Sequence, residues 1–233
     1  MHSGVEGTSG VKPCVVFDLD GTLIESEGIW RDVRREFVET HGGRWRDGAQ
    51  AAMIGMRTDE WAQYIHDDLA VALPPAAIAQ QVIAAVVARL QPPPVLPGAD
   101  AALQRLEPAF RLGLATSASL PVAQSVLATT GWKRFFDVVV SADVVARGKP
   151  APDVYLRALE LLHATPARTA AIEDSAKGIR SAHAAGIAVI AIPNEEFPPD
   201  AGALALASRV IENLDALDDT VVRGVLVLGE GLP

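Results

Sequence analysis

Cysteine is almost missing from this chain: Cys14 stands alone in 233 residues. A lone thiol closes no internal disulfide, which fits a reducing compartment, and its place at the start of an apolar run marks it as a small buried hydrophobe. No apolar run approaches the ~18 residues of a membrane span, so neither a spanning helix nor a membrane partner is expected. Clustered lysine and arginine are missing too. With a formal net charge of −9, that argues against a nucleic-acid or anionic-lipid surface, since both need concentrated positive charge. The five histidines have no metal-ligand spacing; His66 and His183 fall on helical patterns, where packing or surface roles are the plain reading. There is no internal repeat and no low-complexity tract. Met1 to Lys12 lacks the charged-then-apolar layout of a signal peptide and reads as a loose leader of a cytoplasmic protein.

What is present is a chain of ordinary globular composition, 49% hydrophobic and 21% charged, long enough for one large α/β domain or a core with a smaller insert. Its organising stretch is Val15-Val16-Phe17-Asp18-Leu19-Asp20-Gly21-Thr22-Leu23. Apolar residues run straight into two carboxylates and a glycine turn, as at the carboxyl end of a buried parallel strand, where open α/β sheets place their ligands. Two such carboxylates repel each other and lose hydration, a cost on the order of several kcal/mol that a divalent cation offsets. A pair of solvated turn aspartates is the plain alternative.

The residues that follow carry no strand signal. Ile29, Trp30, Val33, Phe37 and Val38 recur at helix spacing. Thr58 reads as an N-cap before Trp61, Ile65 and Leu69, and Pro74-Pro75 opens a helix carrying Ile78, Val82, Ile83, Val86, Val87 and Leu90. A βαβ unit returns to the sheet after one helix, so residues 27–96 read as a helical insertion, closed by the stiff connector Gln91 to Gly98. Residues 13–26 and 97–233 make up the remainder. There, strands are expected at Arg111–Thr116, Asp137–Ser141, Ala170–Asp174, Ile187–Ile192 and Arg209–Ile211, alternating with helices as in a doubly wound parallel sheet. Val221 to Leu228 is either one more strand or a closing helix.

Three further strand ends are rich in chemistry. Leu114-Ala115-Thr116-Ser117 ends in hydroxyls and backbone N–H donors suited to an anion; Gly148-Lys149-Pro150 holds a lysine in an extended loop; Ile172-Glu173-Asp174 ends in adjacent acids. Taken singly, these are ordinary turn formers, a solvated lysine and solvated acids. Together and in this order, FDLDGTL, the Thr116-Ser117 strand end, GKPAPD and Glu173-Asp174 resemble the four motifs of the haloacid dehalogenase superfamily. The resemblance covers nearly the whole chain and implies a Rossmann-like core with residues 27–96 as its helical cap, in the manner of the subgroup containing small phosphatases and β-phosphoglucomutase.

It also implies roles. Asp18 is the expected nucleophile, Asp20 the general acid/base and Lys149 the bridge between Asp18 and the transferring phosphoryl group. Thr116 and the backbone of Ser117 are expected at the phosphate, and Asp18, the Asp20 carbonyl, Glu173 and Asp174 around Mg2+. Covalent attack by one carboxylate and proton transfer by its neighbour is sound chemistry for a phosphate ester. Arg57, beside Gly55 at the start of a cap helix, is the candidate cap contact with substrate. One departure stands out: relatives carry Asp-Ser-Glu or Asp-Thr-Glu where this chain has Glu25-Ser26-Glu27, at the expected hinge.

The expectation is a monomeric Mg2+-dependent phosphatase of a small phosphorylated metabolite such as a sugar phosphate. A phosphomutase of the β-phosphoglucomutase kind is the alternative, and it calls for a cationic cap site for the second phosphate. The cap has no lysine; Arg31, Arg34, Arg35, Arg44, Arg46 and Arg89 are the arginines left to build such a site. A receiver-type signalling domain, the third reading, preserves its phospho-aspartate by having no base beside it, and Asp20 is such a base.

Overall fold

β1 (Cys14–Phe17) is buried throughout, and its side chains divide by parity: Val15 and Phe17 join one apolar cluster, Cys14 and Val16 another. A strand uses both parities this way only when helices cover both faces of the sheet. The computed structural model describes residues 12–194 and 197–229, so the leader reading at Met1 to Lys12 lies outside the described residues except for Lys12. Around β1 the sheet is completed by β2 (Arg111–Thr116), β3 (Phe136–Ser141), β4 (Thr169–Glu173), β5 (Ala188–Ala191) and the short edge strand β6 (Arg209–Val210). The order is β3-β2-β1-β4-β5-β6, parallel throughout. The direction of winding reverses at β1, which opens a crevice at the carboxyl ends of β1, β2 and β4. Phe17 pairs with Leu114 on one side and Ile172 on the other. Asp18, Thr116, Glu173 and Asp174 therefore leave the sheet side by side.

Four helices lie between β1 and the connector at Gln91: α1 (Glu27–Thr40), α2 (Ala49–Met53), α3 (Thr58–Asp67) and α4 (Pro75–Arg89). α1 buries Trp30, Val33, Phe37 and Val38 along one stripe, α3 buries Trp61 and Ile65, and α4 buries Ile78, Val82 and Val86. The short helix α2 has no counterpart in the sequence reading, because five residues are too few to show a period. Thr58 is not the N-cap of α3. That position belongs to Arg57, whose N–H is taken by the Glu60 carboxylate at 2.8 Å, and Thr58 is the first helical residue. Acceptance by Glu60 three residues on satisfies the orphan donor without a hydroxyl at the cap.

The remaining helices, α5 (Ala99–Leu106), α6 (Leu120–Thr130), α7 (Asp153–Leu162), α8 (Ala176–Ala184), α9 (Ala201–Leu204) and α10 (Asp219–Gly229), surround the sheet. The open question at Val221 to Leu228 is settled as helix: Val222 and Val225 of α10 are buried and extend the first cluster. No helix among the described residues is long and apolar enough to cross a membrane.

The chain enters and leaves the first four helices at one place. Ile24 and Val95 form an antiparallel bridge, Glu25 N–H donates to the Pro94 carbonyl at 2.8 Å, and Leu96 N–H donates to Leu23 at 3.0 Å. Away from that entry the helices are not loosely tethered, since α4 packs on α6 and one apolar cluster runs from Trp61, Val82 and Val86 through to Val126 and Phe17.

Candidate active site

The carboxyl ends of β1 and β4 and the loop before α7 bring together a buried group of charges. Lys149 Nζ lies 2.6 Å from Asp18 Oδ1 and 2.6 Å from Glu173 Oε1. Tyr155 of α7 donates its hydroxyl to the same Glu173 oxygen at 2.7 Å, and Ser175 donates to Oε2 at 3.3 Å. Asp174 receives the Thr22 hydroxyl at 3.4 Å. Lys149, Asp18, Glu173 and Asp174 are each no more than 6% exposed. Burial alone would lower the Lys149 ammonium, but the Asp18 and Glu173 carboxylates outweigh it and hold it above its ordinary range. Burial pushes the Asp18 carboxyl up to about 8 against the pull of Lys149, with Glu173 and Asp20 adding to the rise. Asp174 is driven well up by burial and by the Asp18 and Glu173 charges. One ammonium is too little positive charge for these acids.

Two glycines make the crowding possible. At Gly21, with φ +82°, a Cβ would lie 2.1 Å from Asp174 Oδ2; at Gly178 in the first turn of α8 it would lie 1.8 Å from Glu173 Oε2. Side-chain oxygens of Asp18, Glu173 and Asp174 fall within 4.8 Å of one another. An over-negative set of hard oxygen donors, held in place by backbone that no other residue type could share, fits a hard divalent cation.

Asp20 sits apart. Its Oδ1 accepts from the Ser26 hydroxyl and from Trp30 Nε1 at 3.3 Å, and its Oδ2 from the Thr116 hydroxyl at 3.4 Å. Thr116 also accepts from Ala118 N–H at 2.9 Å. The second carboxylate of the pair is thus held by Ser26 and Trp30 at the entrance to the helical block and by Thr116 of β2, while the first is held by Lys149 from the loop before α7.

Above the charges lies a cavity of about 340 Å3. Asp18, Asp20, Lys149 and Asp174 form its floor, and Trp30, Arg34, Met53 and Trp61 are part of its roof. Segment 54–57 fastens roof to floor: Lys177 Nζ donates to the Ile54 carbonyl, and Ser117 Oγ to that of Gly55 at 3.4 Å. Arg57 Nη1 donates to Val145 at 2.6 Å and to Ala146, and a Cβ on Gly148 would meet Arg57 Cγ at 2.7 Å. Arg57, the expected substrate contact, does not line the cavity; its guanidinium is occupied by those carbonyls and by Asp59 at 3.0 Å. Ser117 does line it.

Sequence reasoning brought together Asp18, Lys149, Glu173 and Asp174, and missed Tyr155, Gly178, Ser26, Gln50 and the place of Arg34. Only Gly178 left a signal, because a glycine in a helix is costly unless something approaches its Cα. Arg34 reads in sequence only as one of six cap arginines left to build a second-phosphate site, and nothing in the sequence singles out Tyr155.

Residues 12–186 match the family model described as haloacid dehalogenase-like hydrolase. The chain is 32% identical over 203 residues to the bifunctional riboflavin kinase/FMN phosphatase of Arabidopsis thaliana, covering 86% of this chain and 53% of that one. It therefore spans about half the length of that relative. It is 30% identical over 177 residues to the fructose-1-phosphate phosphatase YqaB of Escherichia coli, covering 74% of this chain and 92% of that one. The crystal structure of a CbbY variant from Rhodobacter sphaeroides in complex with xylulose-(1,5)bisphosphate superposes with a TM-score of 0.78 at 28% identity, over 89% of this chain and 100% of that one.

Proposed function

Because this chain belongs to the haloacid dehalogenase-like hydrolases, we propose that it is a phosphatase of small phosphorylated metabolites, working through an aspartyl-phosphate on Asp18. The observation that carries the reading is the meeting of Lys149 Nζ with Asp18 and Glu173, both at 2.6 Å, at the carboxyl edge of the sheet. In this reading an Asp18 oxygen attacks phosphorus as the ester P–O bond breaks, and Asp20 gives its proton to the leaving alkoxide. Asp20 then takes a proton from the water that attacks the aspartyl-phosphate, releasing phosphate and restoring the Asp18 carboxylate. Lys149 neutralises the oxygens that carry charge in transfer. Asp18, Glu173, Asp174 and the Asp20 carbonyl would hold Mg2+, which when bound supplies charge neutralisation for the phosphoryl group. Ser117 and the Thr116 turn would orient the phosphate.

Release of Asp20 Oδ1 from Ser26 and Trp30, both in the segment by which the cap joins the core, would free that oxygen for proton exchange with the substrate. We take residues 27–96 as a cap that opens about the Glu25–Pro94 and Leu23–Leu96 hydrogen bonds.

Hydrolysis is favoured over phosphomutase chemistry by the roof. A mutase must grip the non-reacting phosphate with unopposed cations. Arg34, the cap arginine in the cavity wall among the described residues, is offset by Glu27 in the same wall. Arg89 pairs with Glu36 and Arg35 with Asp32 on the outer surface. The test is phosphate release from an aryl phosphate with Mg2+: wild-type protein turns over, and Asp18→Asn loses at least about a thousandfold. Wild-type rates in Asp18→Asn, or efficient conversion of β-glucose 1-phosphate to glucose 6-phosphate with little phosphate release, would overturn it.

A further inference from the structure

The roof contains a cluster that the phosphoryl chemistry does not use. Arg34 is 5% exposed and lines the cavity, with its guanidinium carbon 4.5 Å from the ring centre of Trp30 and 5.1 Å from that of Trp61. Nη1 donates to Gln50 Oε1 at 3.3 Å. Nε is buried and has no hydrogen-bond partner among the described residues. Gln50 in turn donates from Nε2 to Glu27 Oε2 at 2.7 Å, so one amide stands between guanidinium and carboxylate. A buried donor without an acceptor is costly and rare in folded proteins, and at a cavity wall the natural acceptor is a ligand.

We infer that Arg34 and Glu27, which line the cavity and are joined to each other through Gln50, form the specificity wall for the non-transferred end of the substrate. They select a neutral, hydroxyl-bearing tail, as in monophosphates of sugars and polyols, over a tail ending in a second phosphate or a carboxylate. The inference rests on the phosphatase reading above and deepens it.

The charges argue for neutrality. The wall sets Arg34 and Lys177 against Glu27, with the Lys177 ammonium tied to the Ile54 carbonyl, and the floor immediately below adds Asp18, Asp20 and Asp174 against Lys149. An anionic tail would gain Arg34 and meet Glu27 and Asp20, whereas a cationic tail would meet Arg34 itself. A hydroxyl does neither harm: it accepts from a guanidinium and donates to a carboxylate, and neighbouring hydroxyls on a carbon chain do both at once. The indoles matter because they fix the cation. A guanidinium stacked on two rings and tied to an amide cannot swing out to follow a phosphate, and its planar donors stay aimed.

The test is a set of matched pairs assayed for phosphate release: fructose 1-phosphate against fructose 1,6-bisphosphate, and glycerol 3-phosphate against 3-phosphoglycerate. Wild-type protein is expected to favour the neutral-tailed member of each pair by about tenfold or more in kcat/KM. Arg34→Met should raise KM for the neutral members about tenfold with a smaller change in kcat, and Glu27→Gln should shrink the discrimination ratio several-fold. Glu27→Gln keeps shape and hydrogen bonding, so it carries the test if Arg34→Met does not fold. Equal or better turnover of the anionic members by wild type, or a ratio unmoved by Glu27→Gln, would overturn the inference. Aryl phosphate hydrolysis that depends on Asp18, run alongside, separates the two readings: if it is present the phosphatase stands alone, and if it is absent both fall.

Discussion

Floor and roof of the cavity are built on opposite principles. At the floor, three buried carboxylates at strand ends that the sheet holds in register bring their oxygens within 4.8 Å of one another, and an ammonium from the loop before α7 bonds two of them. The roof is mostly apolar helix surface with a single guanidinium and a half-buried carboxylate. Charge on a strand end is positioned by backbone, and a Cβ at Gly21 or Gly178 would collide with Asp174 or Glu173. Selectivity on a helix face is positioned by side-chain volume, which many residues supply. On the proposed reading, the floor carries the reaction and the roof the selection.

Substitutions sharpen that contrast. On the floor, Lys149→Met leaves Asp18 and Glu173 buried without their cation; we expect turnover to fall by about a hundredfold or more and thermal stability to drop markedly. Phosphate release and a melting curve on the same preparation would check both, and an active, fully stable variant would mean that the floor is not under electrostatic load. Gly178→Ala pushes on Glu173 without changing any charge. Its expected effect is about a tenfold loss of affinity for Mn2+ or Mg2+ by titration calorimetry. Unchanged affinity would show that Glu173 is free to move.

At the junction of the two regions, Arg57→Ala removes the donor to Val145 and Ala146. The expected result is a loss of about 1 kcal/mol in urea-unfolding stability and a several-fold rise in KM. A large loss of kcat with unchanged stability would instead return Arg57 to the substrate.

The smallest effect belongs to the roof and is a matter of pH. Burial, then Asp20, pushes the Glu27 carboxyl up to about 7 from an ordinary 4.5. Between those values the folded chain keeps a proton that the unfolded chain has released, so the contribution of this group to stability falls as pH rises from 4.5 to 7 and is flat above. Glu27→Gln removes that dependence. Relative to wild type, the variant should be more favourable at about pH 8 than at about pH 5 in paired melting curves, and parallel curves would count against the shift.

The same contrast governs how much could be read in advance. β1, β2 and α7 were legible because continuous apolar runs, Gly-Lys-Pro and Pro152-Asp153 mark their limits directly. The floor followed from them, since four motifs at strand ends have one way to meet in a parallel sheet. In the roof, Trp30 and Trp61 read as core, which they are, and nothing in the spacing of Glu27 and Arg34 says that they share a cavity wall. The Glu173–Tyr155 bond joins β4 to α7, a pairing set by tertiary packing alone.

The paired hydrogen bonds between Leu23–Glu25 and Pro94–Leu96 bear on chain topology as well. Because the two ends of the insertion meet side by side, the sheet sees residues 27–96 as if they were a tight hairpin turn. The loop-closure entropy of bringing β1 to β2 is then offset locally, whatever the length or content of what hangs outside. A core of this kind can exchange its roof for a longer, shorter or differently shaped one without moving a strand. The face that would register the exchange is the α4–α6 contact, where apolar surface would be left bare.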